Sequence, residues 1–162
     1  MRREDRELKS LQECLDILSK CDVLRLGIVA TDCPYVVPMN FGVDTEGQSI
    51  TLWLHSAPGG LKLDLIKENP LVGFEADCSH NLVAGEKACY YTMEFESVIG
   101  CGRVSAPDDY ISKRRGLRAI MHHYVPDEDF EFEESELAGV CVLRLEVDRI
   151  TGKRLKTVVS SV

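Results

Sequence analysis

No stretch of the 162-residue sequence approaches the roughly 20 consecutive apolar residues that carry a helix across a bilayer. The N-terminal Met1-Arg2-Arg3-Glu4-Asp5-Arg6-Glu7 is charged and has no apolar segment behind it, so the pattern of an export signal is missing too. A soluble, unexported chain is the expectation. Cysteine pairs at metal or redox spacing are also missing. The seven cysteines, at 14, 21, 33, 78, 89, 101 and 141, form an odd set without a Cys-x-x-Cys. That pattern suits neither a disulfide framework nor a zinc site and predicts reduced thiols in a cytoplasmic protein. Positive charge is scarce, with 19 Lys and Arg against 27 Asp and Glu and a net charge of −8. Nucleic acid and anionic membrane are thereby disfavoured as general partners, because both need a net basic face. An anionic ligand has to find a local positive pocket.

What is present is enough apolar material, 44% of residues, for one sizeable core, and a single domain over 1–162 is expected. Leu8, Leu11, Leu15 and Leu18 recur at three- and four-residue steps and predict an amphipathic helix over 7–20. Strand patterns follow at 23–31, 35–43 and 49–55, joined by short turn-rich links that predict antiparallel neighbours. Residues 61–68 read as a short helix with Leu61, Leu65 and Ile66 inward, ended by Asn69-Pro70. A strand at 71–76 and a long β segment at 90–104 come next, with Gly100 and Gly102 marking a bend or bulge. A second helix is expected over 107–124, with Pro107 near its first turn, and a last strand over 140–147 before a polar tail from about Thr151. Six strands and three helices with hairpin-length links describe a mainly β, α+β chain: an antiparallel six-stranded barrel with peripheral helices.

The stretch His55-Ser56-Ala57-Pro58-Gly59-Gly60-Leu61-Lys62 passes from a strand end through a glycine pair into a helix. First-turn N–H groups, the helix dipole, the Ser56 hydroxyl and the Lys62 ammonium together suit a phosphate, and glycine lets the backbone come close. The same spacing also describes a plain strand-to-helix loop with a solvated lysine, and His55 is either a ligand-facing group or a structural one. One strand earlier, Pro38 interrupts Tyr35-Val36-Val37-Pro38-Met39-Asn40-Phe41-Gly42. Proline cannot donate to a ladder, so this segment belongs at an edge, a bulge, or a place where a planar heterocycle pairs with the backbone of Val37, Met39 and Asn40.

Other constellations carry less. Cys78 with His80, and His122 with His123, lack further ligands at metal spacing, and neighbouring helical residues point about 100° apart, so no metal site is expected. Lys113, Arg114, Arg115 and Arg118 form a basic helical patch that the acidic segment 127–136 neutralises within the chain or across a subunit boundary. Glu94 and Glu96 share a strand face, but nothing around them in the sequence separates their pKa values for acid/base work.

Four segments taken in order, Val37-Pro38-Met39-Asn40-Phe41, Leu54-His55-Ser56-Ala57-Pro58-Gly59-Gly60-Leu61-Lys62, Glu96-Ser97-Val98-Ile99-Gly100-Cys101-Gly102 and Ile150-Thr151-Gly152-Lys153, resemble one known group. They are similar to the pyridoxamine 5′-phosphate oxidase-related flavoproteins, in the branch related to 5-nitroimidazole resistance proteins, over Leu11 to Lys153. The resemblance implies an FMN-binding split barrel that forms a homodimer with two flavins at the subunit interface. It implies that Val37, Pro38, Met39 and Asn40 line the flavin ring, that His55, Ser56 and Lys62 lie along the ribityl-phosphate side, and that Ser97 and Lys153 come near a flavin. It also implies an FMN-dependent oxidoreductase that reduces a nitroaromatic or similar acceptor with electrons from NADH or NADPH, His55 being the proton donor. The rival expectations are a non-catalytic flavin- or haem-binding module of the same fold, and an interaction protein with a vestigial pocket. One departure stands out: relatives commonly carry arginine immediately before the phosphate-side lysine, where this chain has Leu61.

Overall fold

The computed structural model describes residues 3–156. Ser10 starts the first helix, α1 (Leu11–Leu18): its hydroxyl accepts the Glu13 N–H while the Glu13 carboxylate accepts the Ser10 N–H. This capping box shortens the helix expected over 7–20. The strands that follow are β1 (Leu24–Ile28), β2 (Tyr35–Met39), β3 (Phe41–Glu46) and β4 (Ser49–Ser56), and α2 (Leu61–Glu68) comes next. The chain continues through β5 (Leu71–Val83), β6 (Thr92–Ser105), α3 (Tyr110–Tyr124), a short α4 (Glu134–Leu137) and β7 (Cys141–Leu155). The described residues thus hold four α-helices where three were expected, α4 lying in the acidic segment read as a loop.

All strand pairs are antiparallel, in one sheet of order β2-β1-β5-β6-β7-β4-β3. The strand expected over 35–43 is therefore two strands at opposite edges of the sheet, with Asn40 alone between them. Two peptide links reach at most about 7 Å, so the sheet has to curl until its edges meet. The result is a split antiparallel β-barrel with peripheral helices, of seven strands rather than six, whose seam runs between β2 and β3. Pro38 sits on the edge strand, where its missing N–H breaks no ladder.

Pairing also lengthens strands that hydrophobicity alone would end early. β5 continues past Ala76 because 77–83 pairs along β6, and β7 runs through the expected polar tail because its second half pairs with Phe95 to Ile99. The rest of that tail, 157–162, lies outside the described residues. Register shifts between Cys101 and Gly102, and a Cβ on Gly100 would overlap the Phe74 ring, so the two glycines make the anticipated bulge.

Leu24, Leu26, Phe41, Leu54, Leu143 and Leu145 are fully buried inside the barrel. A smaller core lies outside it, where Trp53, Val142 and Ile120 pack beneath α3. That helix approaches through glycine: a Cβ on Gly116 would meet the Trp53 ring and Val142, and one on Gly42 would run into the backbone of Ala119. Asp109 caps α3 through the Ser112 N–H, which places Pro107 before the helix rather than in its first turn. Among the described residues no helix is long and apolar enough to cross a membrane.

Candidate functional site

The seam gathers most of the residues singled out from sequence. In β2, Met39 is buried and Val37 half-buried toward the barrel, while Pro38 is exposed on the outer face. Phe41 pairs with Leu54 at the end of the β3–β4 ladder, and Asn40 and His55 are each one residue beyond that pair. His55 is exposed and faces Val142 across the β4–β7 ladder, and Ser56 faces Cys141. Beyond Ser56 the chain turns through Gly60, at φ 125°, into α2. No side chain caps α2, whereas Ser10 and Asp109 cap α1 and α3, so its first-turn N–H groups are open to an anion. A Cβ on Gly59 would meet no atom within 4 Å, so the approach to these donors is clear.

Two details depart from the sequence reading. The Ser56 hydroxyl donates to the carbonyl of its neighbour Ala57 at 2.7 Å instead of pointing free. Leu61, expected inward, is 57% exposed; Leu63 takes the buried place with Leu65 and Ile66. The helix spans the residues expected, Leu61–Glu68, but presents the face of Leu63, Leu65 and Ile66 to the core.

Sequence reasoning missed the surroundings of Cys141, the residue opposite Ser56. Burial pushes the Cys141 thiol pKa up, against the pull of Lys113, Lys67 and Lys62, with Asp108 adding to the rise. Lys113 was read as part of a basic patch that the acidic segment 127–136 neutralises. Its spacing with Gly116, Leu117 and Ile120 already placed it on the packed face of α3. The other members of the patch find acids within the chain: Arg114 and Arg118 pair with Glu131, Arg118 also with Asp129, and Arg115 with Asp44 at 2.6 Å.

A third contact frames the seam. The Tyr124 hydroxyl donates to the Asp22 carbonyl at 2.8 Å and accepts the Phe41 N–H at 3.2 Å, so the end of α3 holds the backbone next to Asn40. His123, beside it, stacks on Phe41 and has Nε2 2.9 Å from the Cys21 carbonyl oxygen.

Ser97 and Lys153 do not join this group. They face each other across β6 and β7, in a row with Asp77, whereas Cys141 marks the opposite end of β7. At about 3.3 Å per residue the two ends of that strand are separated by up to roughly 40 Å of chain. Glu96, adjacent to Ser97, is 1% exposed and hydrogen-bonded by Ser79, Lys20 and Arg154. Glu94 instead accepts from Asn81 at 2.9 Å, so the two carboxylates do not act as a pair. His80 Nε2 is 2.6 Å from Asp77, and among the described residues no group of three or more His, Cys, Asp or Glu is placed to hold a metal ion.

Known proteins share this fold. A family model described as pyridoxamine 5′-phosphate oxidase matches residues 10–154. The chain is similar to a candidate 5-nitroimidazole antibiotic resistance protein from Bacteroides thetaiotaomicron, with 34% identity, TM-score 0.79, and 91% of this chain and 85% of that one covered. Two further structures share the fold. A flavocytochrome from Azotobacter vinelandii has 19% identity, TM-score 0.80, and coverage of 97% and 72%. A FAD- and heme-binding protein from Mycobacterium smegmatis has 20% identity, TM-score 0.80, and coverage of 94% and 74%. No curated protein sequence matches the chain.

Proposed function

The chain belongs to the pyridoxamine 5′-phosphate oxidase family, and on that premise we propose that it is an FMN-dependent oxidoreductase reducing a small nitroaromatic or similar acceptor with electrons from NADH or NADPH. The observation that carries this reading is the end of β4, where Asn40 and His55 each lie one residue beyond the Phe41–Leu54 pair and the chain runs on into a helix start that no side chain caps. The residues suit the cofactor. The free edge of β2 offers the backbone of Val37, Pro38, Met39 and Asn40 to a ring's polar rim, and the space around Gly59 admits a phosphate.

FMN, when bound, supplies hydride and one-electron transfer. The chain supplies placement. First-turn N–H groups of α2 and the Lys62 ammonium hold the phosphate, and the Ser56 hydroxyl joins them by rotating off the Ala57 carbonyl. Phe41, pinned by Tyr124, keeps Asn40 and Met39 in register, and the exposed His55 imidazole gives a proton to the acceptor.

The purified protein is expected to be yellow, to bleach with NADH or NADPH and to regain colour when a nitroaromatic is added. Bound flavin that stays oxidised with every donor would replace the enzyme by a non-catalytic flavin- or haem-binding module. Lys62→Ala is expected to weaken FMN binding by roughly 10- to 100-fold and leave riboflavin binding unchanged, measured by calorimetry. Equal losses for both ligands would refute a phosphate role.

The separation of Ser97 and Lys153 from Ser56 supports a homodimer in which each subunit sends these two residues to the other's flavin. On the outer face Val36 is 59% exposed and is followed across the sheet by Gly27 and Gly73, while Ile99, 58% exposed, stands in the row of the ion-paired Glu75 and Arg25. Mixed and refolded Lys62→Ala and Lys153→Ala chains should regain one intact site per heterodimer, although neither variant alone binds well. No recovery on mixing would put both lysines in the same subunit's site.

A further inference from the structure

Trp53, the single tryptophan of the chain, is 3% exposed, yet its indole Nε1–H has no hydrogen-bond partner among the described residues. A buried donor left unmet is costly and calls for an acceptor. Trp53 stands on the outer face of β4, in a row with Gly42 of β3 and Arg144 of β7, and the next row on that face is Asp44, Thr51 and Glu146. A cavity of about 370 Å³ opens here, with Trp53 and Thr51 on its strand side and Ile111 and Arg115, from the first two turns of α3, on the other. The indole faces Asp44 closely enough to act on it without bonding it. Burial pushes the Asp44 carboxyl pKa up, and Arg115, with the Trp53 N–H behind it, brings it below its ordinary value. The carboxylate is itself engaged by Arg115 Nε at 2.6 Å.

The charges around the cavity narrow the kind of molecule it takes. Two arginines, Arg115 and Arg144, stand against three carboxylates, Asp44, Glu46 and Glu146, so a free anion enters a wall that is net negative. A free cation leaves the indole N–H unmet. Arg115 holds Asp44 through Nε alone and keeps its terminal N–H groups, so donors and carboxylate acceptors lie side by side. A planar amide matches both, its carbonyl accepting and its N–H donating. Ile111, 77% exposed, gives an apolar wall for a ring, with Ile50 and Val147. A water molecule is the plain alternative: it satisfies the indole but does not cover Ile111.

We propose that this cavity is a binding site for a small neutral molecule bearing a planar amide, whose carbonyl takes the Trp53 N–H and whose own N–H faces the carboxylates of Asp44 and Glu146. Its lining shares no residue with the flavin site proposed above, so the two stand or fall separately.

Benzamide, benzoate and benzamidine present one ring with a neutral, an anionic and a cationic head, and the lone tryptophan reports on the site by its own fluorescence. Titrated into the full-length protein, benzamide should shift the Trp53 emission and saturate with a Kd of about 1 mM or lower, at least about fivefold tighter than either charged analogue. Thr51→Met narrows the cavity and keeps the indole, and should weaken benzamide binding by about 10-fold or more. Trp53→Phe, followed by calorimetry, removes the N–H and should weaken it comparably; Thr51→Met decides the matter if that variant does not fold. Benzoate or benzamidine binding as tightly as benzamide would overturn the amide assignment. Benzamide binding unchanged in Thr51→Met would place the ligand elsewhere and overturn the site. If none of the three probes alters the emission, the cavity belongs to water and the proposal falls.

Discussion

Gly42→Ala is expected to destabilise the protein by about 3 kcal/mol or more, seen as a lowered urea midpoint. The reason is the nature of the neighbours. An added Cβ would overlap the Ala119 carbonyl and the Ile120 amide, which are backbone atoms of α3 and cannot turn aside as a side chain would. The helix has to back away from β3, which opens the small core of Trp53, Val142 and Ile120 beneath it. Function should suffer in the same variant. α3 carries Tyr124, which holds the Phe41 amide next to Asn40, so flavin binding should weaken even where the variant remains folded. A loss below about 1 kcal/mol would mean that α3 rides loosely on the barrel and does not position the seam.

A second large effect centres on Glu96, the buried carboxylate at the inner end of β6. Its oxygens accept from Ser79 at 2.8 Å, Arg154 at 2.5 Å and Lys20 at 3.2 Å, with the Lys156 ammonium at 3.6 Å. Burial alone would push its pKa up. The hydrogen bonds from Ser79, Arg154 and Lys20 outweigh that and hold it down to about 2, against an ordinary 4.5. A carboxyl held low in the folded state contributes stability that is present above its unfolded value and is lost as pH falls toward the folded one. Glu96 should therefore contribute about 3 kcal/mol at neutral pH, lost between roughly pH 5 and pH 2.

Arg154→Met leaves the carboxylate buried with fewer donors and should cost about 3 kcal/mol, partly by freeing Glu13 and with it α1. Glu96→Gln should cost a similar amount at neutral pH, because the amide stands for the protonated acid, and little at acid pH, where the wild type has lost the same contribution. Denaturant titrations at neutral and acid pH separate these expectations: the wild type should lose more stability on acidification than Glu96→Gln. Identical pH dependence in the two proteins would sink the assignment.

Much of this molecule was legible in its residue order. The bulge at Gly100 and Gly102, the edge position of Pro38, the short helix before Asn69-Pro70 and the strand-loop-helix passage at Ser56 to Lys62 each depend on local chemistry. A glycine that leaves room, a proline without an N–H and a chain reversal announce themselves within a few residues. The division at Asn40 was not legible, because 35–43 alternates like one strand, and nothing local shows that its halves belong to opposite edges. Glu96 was unreadable for a related reason. Its partners come from 20, 79, 154 and 156, and alternation gives a face without saying whether that face is dry.

The sequence by itself determined the antiparallel β class and the motifs shared with the pyridoxamine 5′-phosphate oxidase family, both of which are properties of short segments. Tertiary structure alone decided that β2 and β3 lie at the two edges of the sheet, that Phe41 pairs with Leu54 just before His55, and that Ser97 and Lys153 pair far from Cys141. These facts depend on which strands pair and in which register. Register is a cooperative outcome of the whole barrel: shifting it by one residue would turn every inward leucine to solvent, and no local segment carries that information.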